Sequence, residues 1–269
     1  MKLNWALFFL CELGINTTVM ANSCSRVINA PVAPLGSTVI VADNQFTGIY
    51  PDLFRQISQK EQCQFQFSLV PRARMELLFE TGQADLLFPA IKTEKRDESG
   101  VFVPLIYARA TLIVVNPALA AISDFSGILQ NPRFRLAVVR GFDYGPEYRQ
   151  LLEQVQKQNR LIYEADPISV ARMLKAGAAD GTIMTPYIFA GAVQNDSRVN
   201  ELSESIRYMP LAEIGWQDSG IYISKKSLSE ADRNLLQDMM ERLAKSGAVW
   251  KAYLQYYRAD AVKAGSKPH

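Results

Sequence analysis

Thr38-Val39-Ile40-Val41-Ala42 is a short apolar, β-branched run; Tyr50 to Glu61 then shows helical spacing, Phe65-Gln66-Phe67-Ser68-Leu69-Val70 is β-prone again, Ala73 to Thr81 is amphipathic, and Leu86-Leu87-Phe88 closes the series. Strand, helix, strand, helix, strand with short connections is the pattern of an α/β layer, and it predicts a mostly parallel sheet covered by helices. The same alternation starts again at Arg135-Val139, followed by Tyr144-Gln158 as helix, Leu161-Glu164 as strand, Ile168-Lys175 as helix and Thr182-Met184 as strand. Two such series predict two lobes. One junction is even repeated: Leu78-Phe79-Glu80-Thr81-Gly82-Gln83-Ala84-Asp85 resembles Met173-Leu174-Lys175-Ala176-Gly177-Ala178-Ala179-Asp180. In each, a helix ends on a glycine able to take the left-handed C′ conformation and the chain turns into a strand led by Asp.

Between the two series runs Ala110-Asn116, extended and β-rich up to Pro117, and after the second runs Ser205-Trp216, followed by a strand at Gly220-Ser224. These are read as two crossings between lobes, so the end of the chain returns to the first. It brings a helix with the cap signal Ser229-x-x-Asp232 and an apolar stripe of Leu235, Leu236, Met239, Met240 and Leu243, which is core packing. The expected division is 22–115 and 211–269 for the first lobe and 116–210 for the second, with hinge segments near Ala110-Asn116 and Ser205-Pro210.

Composition removes many chemistries. The 29 Lys+Arg against 27 Asp+Glu leave a formal net charge of +2, without the basic excess that nucleic acid requires. The sole histidine is His269, so Ser-His and Cys-His catalysis and histidine-held zinc are excluded. No G-x-G pair and no G-x-x-x-x-G-K occurs, which removes the usual phosphate cradles. No metal and no cofactor is expected.

Residues 1–21 read as a cleaved secretory signal: Lys2, an apolar stretch from Leu3 to Met20 interrupted by Glu12, and the small-x-small site Val19-Met20-Ala21. No later apolar run is free enough of charge and proline to span a bilayer. The expected location is the periplasm. Removal of Cys11 with the signal leaves Cys24 and Cys63, an even number in an exported chain and hence a candidate disulfide.

Gly48-Ile49-Tyr50-Pro51-Asp52-Leu53-Phe54, Pro71-Arg72-Ala73-Arg74, Gly82-x-x-Asp85, Thr93-Glu94-Lys95-Arg96 with Phe102-x-Pro104, Ser219-Gly220-Ile221-Tyr222-Ile223-Ser224 and Lys245-Ser246-Gly247-Ala248-Val249-Trp250 follow one another in an order that resembles the family 3 extracellular solute-binding proteins. The similarity covers residues 37–257. It implies a two-lobed periplasmic binding protein fold, type II-like, with a two-strand hinge, closing on a small solute, often a polar amino acid, and an ABC permease as partner. It further implies that Arg96 holds a ligand carboxylate, a task suited to a planar guanidinium fork. Arg74 matches an arginine of some members and is expected at the cleft; Arg72, two positions earlier, is expected at the surface. Asp43-Asn44 fall in the loop where such proteins begin their ligand contacts.

In the second series Arg140-Gly141-Phe142-Asp143-Tyr144-Gly145 joins a strand to a helix, where backbone donors suit an anion and Tyr144 closes over it. Trp216 and Tyr107 are candidate cleft aromatics. Two positions depart from the amino-acid-binding pattern: Ile91 stands where a Ser or Thr is usual, and Thr185 where an Asp usually pairs with the ligand ammonium, so that counterion is sought at Asp43 or Asp218. The expected function is capture of a small carboxylate-bearing solute by a monomeric, non-enzymatic importer component. The alternatives are a dehydratase-like enzyme on the same fold, using carboxylates such as Asp43 or Glu213, and a ligand sensor for a membrane receptor.

Overall fold

The computed structural model describes residues 23–43 and 45–269. The expected signal and Asn44 lie outside the described residues. In chain order the strands are β1 (Ile28–Val32), β2 (Ile40–Ala42), β3 (Gln45–Thr47), β4 (Phe65–Leu69), β5 (Leu86–Ile91), β6 (Gly100–Ala108), β7 (Thr111–Val114), β8 (Leu136–Val139), β9 (Leu161–Glu164), β10 (Thr182–Met184), β11 (Arg207–Met209), β12 (Gln217–Ser224) and β13 (Ser266–Pro268). The helices are α1 (Ile49–Glu61), α2 (Arg72–Glu80), α3 (Glu94–Asp97), α4 (Phe125–Gln130), α5 (Pro146–Lys157), α6 (Pro167–Lys175), α7 (Pro186–Gln194), α8 (Glu230–Lys245), α9 (Ala248–Tyr256) and α10 (Ala259–Gly265).

The first half starts earlier than its hydrophobic pattern suggested. Its leading strand is β1, parallel to β4, whereas Ile40–Ala42 forms only a hairpin with β3. Asn29 and Pro31 interrupt the apolar run of β1, yet Ile28, Ala30 and Val32 are fully buried and align with β4. Buried Ile49, Leu53, Phe54 and Ile57 repeat on one face of α1, and each such side chain contributes roughly 1.5–3 kcal/mol on leaving water. Phe54 packs edge-on against Phe88 of β5 at 4.8 Å between ring centres, joining helix to sheet. The helix stops at Gln62, in the left-handed conformation at φ 54°, next to Cys63. Cys24 and Cys63 are bonded, with Cα atoms 4.9 Å apart, tying the N-terminal arm to the end of α1.

The sheets are mixed rather than mostly parallel. β8 and β9 pair in parallel, but β5, β12, β6 and β13 form an antiparallel set in the order β13-β6-β12-β5, and β7 lies between β10 and β11, antiparallel to both. The chain leaves the first set after Ala108 and enters the second at Thr111, so strand pairing puts the first crossing at Arg109–Ala110 rather than after Val115. The return runs through Pro210–Trp216, between β11 and β12. We therefore propose lobe limits near 110 and 210.

Ser229 caps α8 by accepting a hydrogen bond from the Asp232 backbone at 3.1 Å, and Leu236, Met239 and Met240 of its stripe are buried. The C-terminal segment then touches both halves: β13 extends the sheet beside β6, while α10 packs on α7.

Candidate functional site

A cavity of about 30 Å³ lies between the halves. Arg72, Ile91, Arg96 and Ser219 come from one side, Phe142, Asp143, Tyr144 and Thr185 from the other. That volume suffices for one or two waters and is too small for an amino acid. The second half rests directly on the first at Gly141, whose φ is 90°; a Cβ there would lie 2.8 Å from the Ala73 Cα at the start of α2. Gln217 adds a polar link, donating through Nε2 to the Tyr144 carbonyl at 3.0 Å.

Arg96 sits in the short turn α3. Thr93 caps that turn, and Tyr222 of β12 secures it: its hydroxyl accepts from the Thr93 N–H at 3.0 Å and donates to Asp97 Oδ1 at 2.8 Å. Only 4% exposed, Arg96 donates through Nη1 to the Ile91 carbonyl at 2.8 Å, through Nη2 to Glu76 Oε1 at 2.8 Å and through Nε to Glu76 Oε2 at 3.1 Å. Ile91, which replaces the usual hydroxyl, thus contributes its carbonyl. Arg72 donates to the same Glu76 Oε1 at 2.6 Å and to the Pro89 carbonyl at 3.1 Å, and its buried Nε has no partner among the described residues. Two buried cations therefore share one largely buried carboxylate. Burial would raise the Glu76 pKa, but Arg96 and Arg72 hold it below the ordinary range. Burial pushes Arg72 down, with Glu76 countering incompletely and Arg96 adding like-charge repulsion, whereas Glu76 outweighs burial at Arg96 and holds it up.

The expectation of Arg72 at the surface and Arg74 in the cleft is reversed: Arg72 is 4% exposed, and Arg74 is exposed and does not line the cavity. Helical spacing explains it, because Arg72, Met75 and Phe79 are the buried residues of α2 and Arg74 falls on the opposite face. The i, i+4 pair Arg72–Glu76 was the available signal.

On the other side, Tyr144 is buried and its hydroxyl accepts from the Thr185 N–H at 3.3 Å; burial pushes its pKa up. Thr185, 1% exposed, lines the cavity from the start of α7. Asp143, which the sequence argument did not single out, also lines it, accepting from Gly145 N–H at 2.9 Å and from Arg149 at 2.8 Å. The remaining candidates lie elsewhere. Arg140 is exposed, over the Tyr163 ring at 5.7 Å. Asp43 is exposed in a turn at φ 48°. Trp216 packs between Arg109 and Lys267, and Tyr107 stacks on His269 at 4.6 Å. Asp218 faces His269 at 3.3 Å, and exposed Glu213 accepts from the Phe125 N–H. None of these six lines the cavity.

The described residues include no helix long and apolar enough to cross a membrane. Two layered α/β halves enclosing a small polar cleft define a solute-binding architecture. Residues 27–259 match the bacterial extracellular solute-binding proteins, family 3, and the chain belongs to that family. Among solved structures it is similar to the amino acid ABC transporter substrate-binding protein AbpA of Streptococcus pneumoniae bound to L-arginine, at 19% identity over 88% of this chain and 95% of that one, with a TM-score of 0.65. It is similar too to the ancestral amino acid-binding protein AncCDT-1, a precursor of cyclohexadienyl dehydratase, at 17% identity over 86% and 95% of the two chains and a TM-score of 0.66. A histidine kinase sensor domain resembling periplasmic binding proteins aligns at 16% identity over 87% and 96%, with a TM-score of 0.65. No curated protein matches the chain.

Proposed function

We propose that this protein captures a small carboxylate-bearing solute, an amino acid or related anion, between its halves in the periplasm and delivers it as a monomer to an ABC permease, without chemical turnover. The observation that carries this reading is the pair of buried guanidiniums, Arg72 and Arg96, on the floor of the inter-lobe cavity, with Arg72 Nε unpartnered. A buried, unsatisfied donor is costly, and an entering carboxylate supplies the acceptor it lacks. Asp143, across the cavity, takes over the ammonium-pairing role sought earlier at Asp43 or Asp218. The aromatic and aliphatic wall of Phe142, Tyr144, Tyr187 and Leu35 favours a compact solute over a long cationic one. Asp43 and Glu213, the carboxylates through which a dehydratase-like chemistry was considered, lie away from this cleft, which favours binding over catalysis.

A thermal-shift screen over neutral, acidic and basic amino acids and simple organic acids tests the reading, since a ligand bound to the folded state raises its apparent stability by mass action. Neutral or acidic amino acids are expected to give the largest shift. Lysine or arginine at the top of the series would show that the paired arginines do not face the ligand.

A further inference from the structure

Arg96 already has a carboxylate partner within its own half. Its Nε/Nη2 edge, the edge suited to a carboxylate fork, is occupied at 3.1 and 2.8 Å by the two oxygens of Glu76, and Arg72 adds a bond to the same carboxylate at 2.6 Å. The Glu76 side chain is only 14% exposed. All three residues belong to the same half, so the arrangement does not depend on closure. Glu76 also lines a groove of about 280 Å³, which shares Arg96, Phe142 and Asp143 with the smaller cavity and is further lined by Lys95, paired with Glu80, and by Arg149, paired with Asp143. The carboxylate therefore borders a groove large enough to receive it once it leaves the arginines, whereas the smaller cavity is bordered by Arg72 and Arg96 and not by Glu76 itself.

Building on the carboxylate-capture reading, we propose that Glu76 is an internal competitor for the ligand carboxylate and thereby a specificity-determining residue: it keeps simple monocarboxylates off Arg96 and admits only solutes whose second group reaches the opposite wall. The physical basis is effective concentration. A carboxylate tethered next to its partner competes as though present at about millimolar concentration or above, so a free acid with no other contact gains little by replacing it. A solute that also binds Asp143, or the donors at Tyr144 and Thr185, has a source of free energy that Glu76 lacks, because among the described residues the Glu76 carboxylate bonds to Arg72 and Arg96 of its own half. Selectivity then comes from a built-in rival as much as from attraction.

Acetate is the probe, titrated into wild-type protein, Glu76→Gln and Glu76→Gln/Arg96→Met while the arginine Nε–H resonances are followed by NMR. The expected result is an acetate midpoint at least tenfold lower in Glu76→Gln than in wild type, lost again in the double variant. Equal midpoints in wild type and Glu76→Gln, both abolished by Arg96→Met, would overturn the competitor role and leave the carboxylate-binding cleft standing. Absence of any Arg96-dependent acetate binding, in the variant as in wild type, would overturn both. Should Glu76→Gln fail to fold, since it leaves two buried cations facing each other, Arg72→Met/Glu76→Gln removes one cation with the anion and is subject to the same comparison.

Discussion

Leu78–Asp85 and Met173–Asp180 build one junction twice. In the first, Gly82 N–H donates to the Phe79 carbonyl at 3.1 Å and Gln83 N–H to that of Leu78 at 2.7 Å; in the second, Gly177 donates to Leu174 at 3.1 Å and Ala178 to Met173 at 2.9 Å. Both glycines are left-handed, with φ of 72° and 64°. Each following aspartate then makes a reciprocal bond with a neighbouring strand: Asp85 N–H to the Asn29 carbonyl at 2.9 Å and Asn29 N–H back to Asp85 Oδ2 at 2.7 Å, Asp180 N–H to the Arg135 carbonyl at 2.9 Å and Arg135 N–H back to Asp180 Oδ2 at 2.7 Å. What differs is the surroundings. The Asp85 side chain is 2% exposed and also accepts from Arg26 and Ser227, while that of Asp180 is 26% exposed and among the described residues bonds to Arg135 alone. The division of labour at the cleft follows the same line: the first-half helix before the glycine brings Arg72 to the cavity with Glu76 bonded behind it, whereas the second half faces it with Phe142, Asp143, Tyr144 and Thr185. A shared backbone frame has been loaded with arginines in one half and with an aspartate among aromatic and hydroxyl groups in the other.

The disulfide should widen that asymmetry most. It belongs to the first half alone and closes a separation of 39 residues, for which the chain-entropy argument gives an upper value of about 4 kcal/mol. Cys24→Ser/Cys63→Ser is expected to lower the free energy of unfolding, read from the shift of the urea midpoint multiplied by m, by an amount approaching that figure. An unchanged midpoint would mean that the arm holding Ser25 to Asp232 and Arg26 to Asp85 stays ordered without the bond.

Asp85→Asn comes next, at about 2–3 kcal/mol, because it removes a buried charge that Arg26 and Ser227 were arranged to meet. The exposed half of the Arg26 side chain keeps the loss from being larger. This effect has a pH signature. Burial would raise the Asp85 pKa, but hydrogen bonds from Arg26, Ser227 and the Asn29 backbone outweigh it and hold it below the ordinary 3.8. A depressed carboxylate stabilises the fold fully above its unfolded pKa and loses that contribution as pH falls through the folded one. Denaturant unfolding of wild type and Asp85→Asn should therefore differ by the same amount at neutral and mildly acidic pH, with the gap narrowing below about pH 4. A gap that closed already near neutrality would assign the effect to another group.

How much of this was visible beforehand depended on whether a residue's role is local. The glycine-aspartate junctions, the Ser229 cap and the Met-containing stripe of α8 are set by neighbours a few positions away, and each was legible in the sequence. Arg96 was singled out because its motif is local too. β1 escaped notice because polar and proline positions interrupt it, and it becomes a strand through long-range parallel pairing with β4. The cleft inventory was harder still. Arg74 and Arg140 carry the right charge but point to solvent, while Arg72 reaches the floor because Met75 and Phe79 turn that face of α2 inward. Glu76 and Asp143 were not singled out, because it is the three-dimensional position of Arg96, Arg72 and Arg149 that draws Glu76 behind the cavity and holds Asp143 in its lining.

The smallest effect, and the closest test of the repeated junction, is Asp180→Asn. An asparagine retains an acceptor for the Arg135 N–H and leaves the Asp180 backbone bond to the Arg135 carbonyl untouched, so the frame itself should survive. What is lost is the charge facing the Arg135 guanidinium at 3.0 and 3.2 Å, and that guanidinium is 43% exposed, so water and salt already screen the pair. Arg135 also keeps a bond to the Gly177 carbonyl at 2.6 Å, which limits its freedom to leave. The expected cost is about 1 kcal/mol or less, and it should shrink further at high salt, unlike that of Asp85→Asn. Equilibrium unfolding of the two variants at low and high salt makes the comparison directly. If Asp180→Asn cost as much as Asp85→Asn and ignored salt, then the two junctions would be energetic as well as geometric repeats, and burial would not be what separates them.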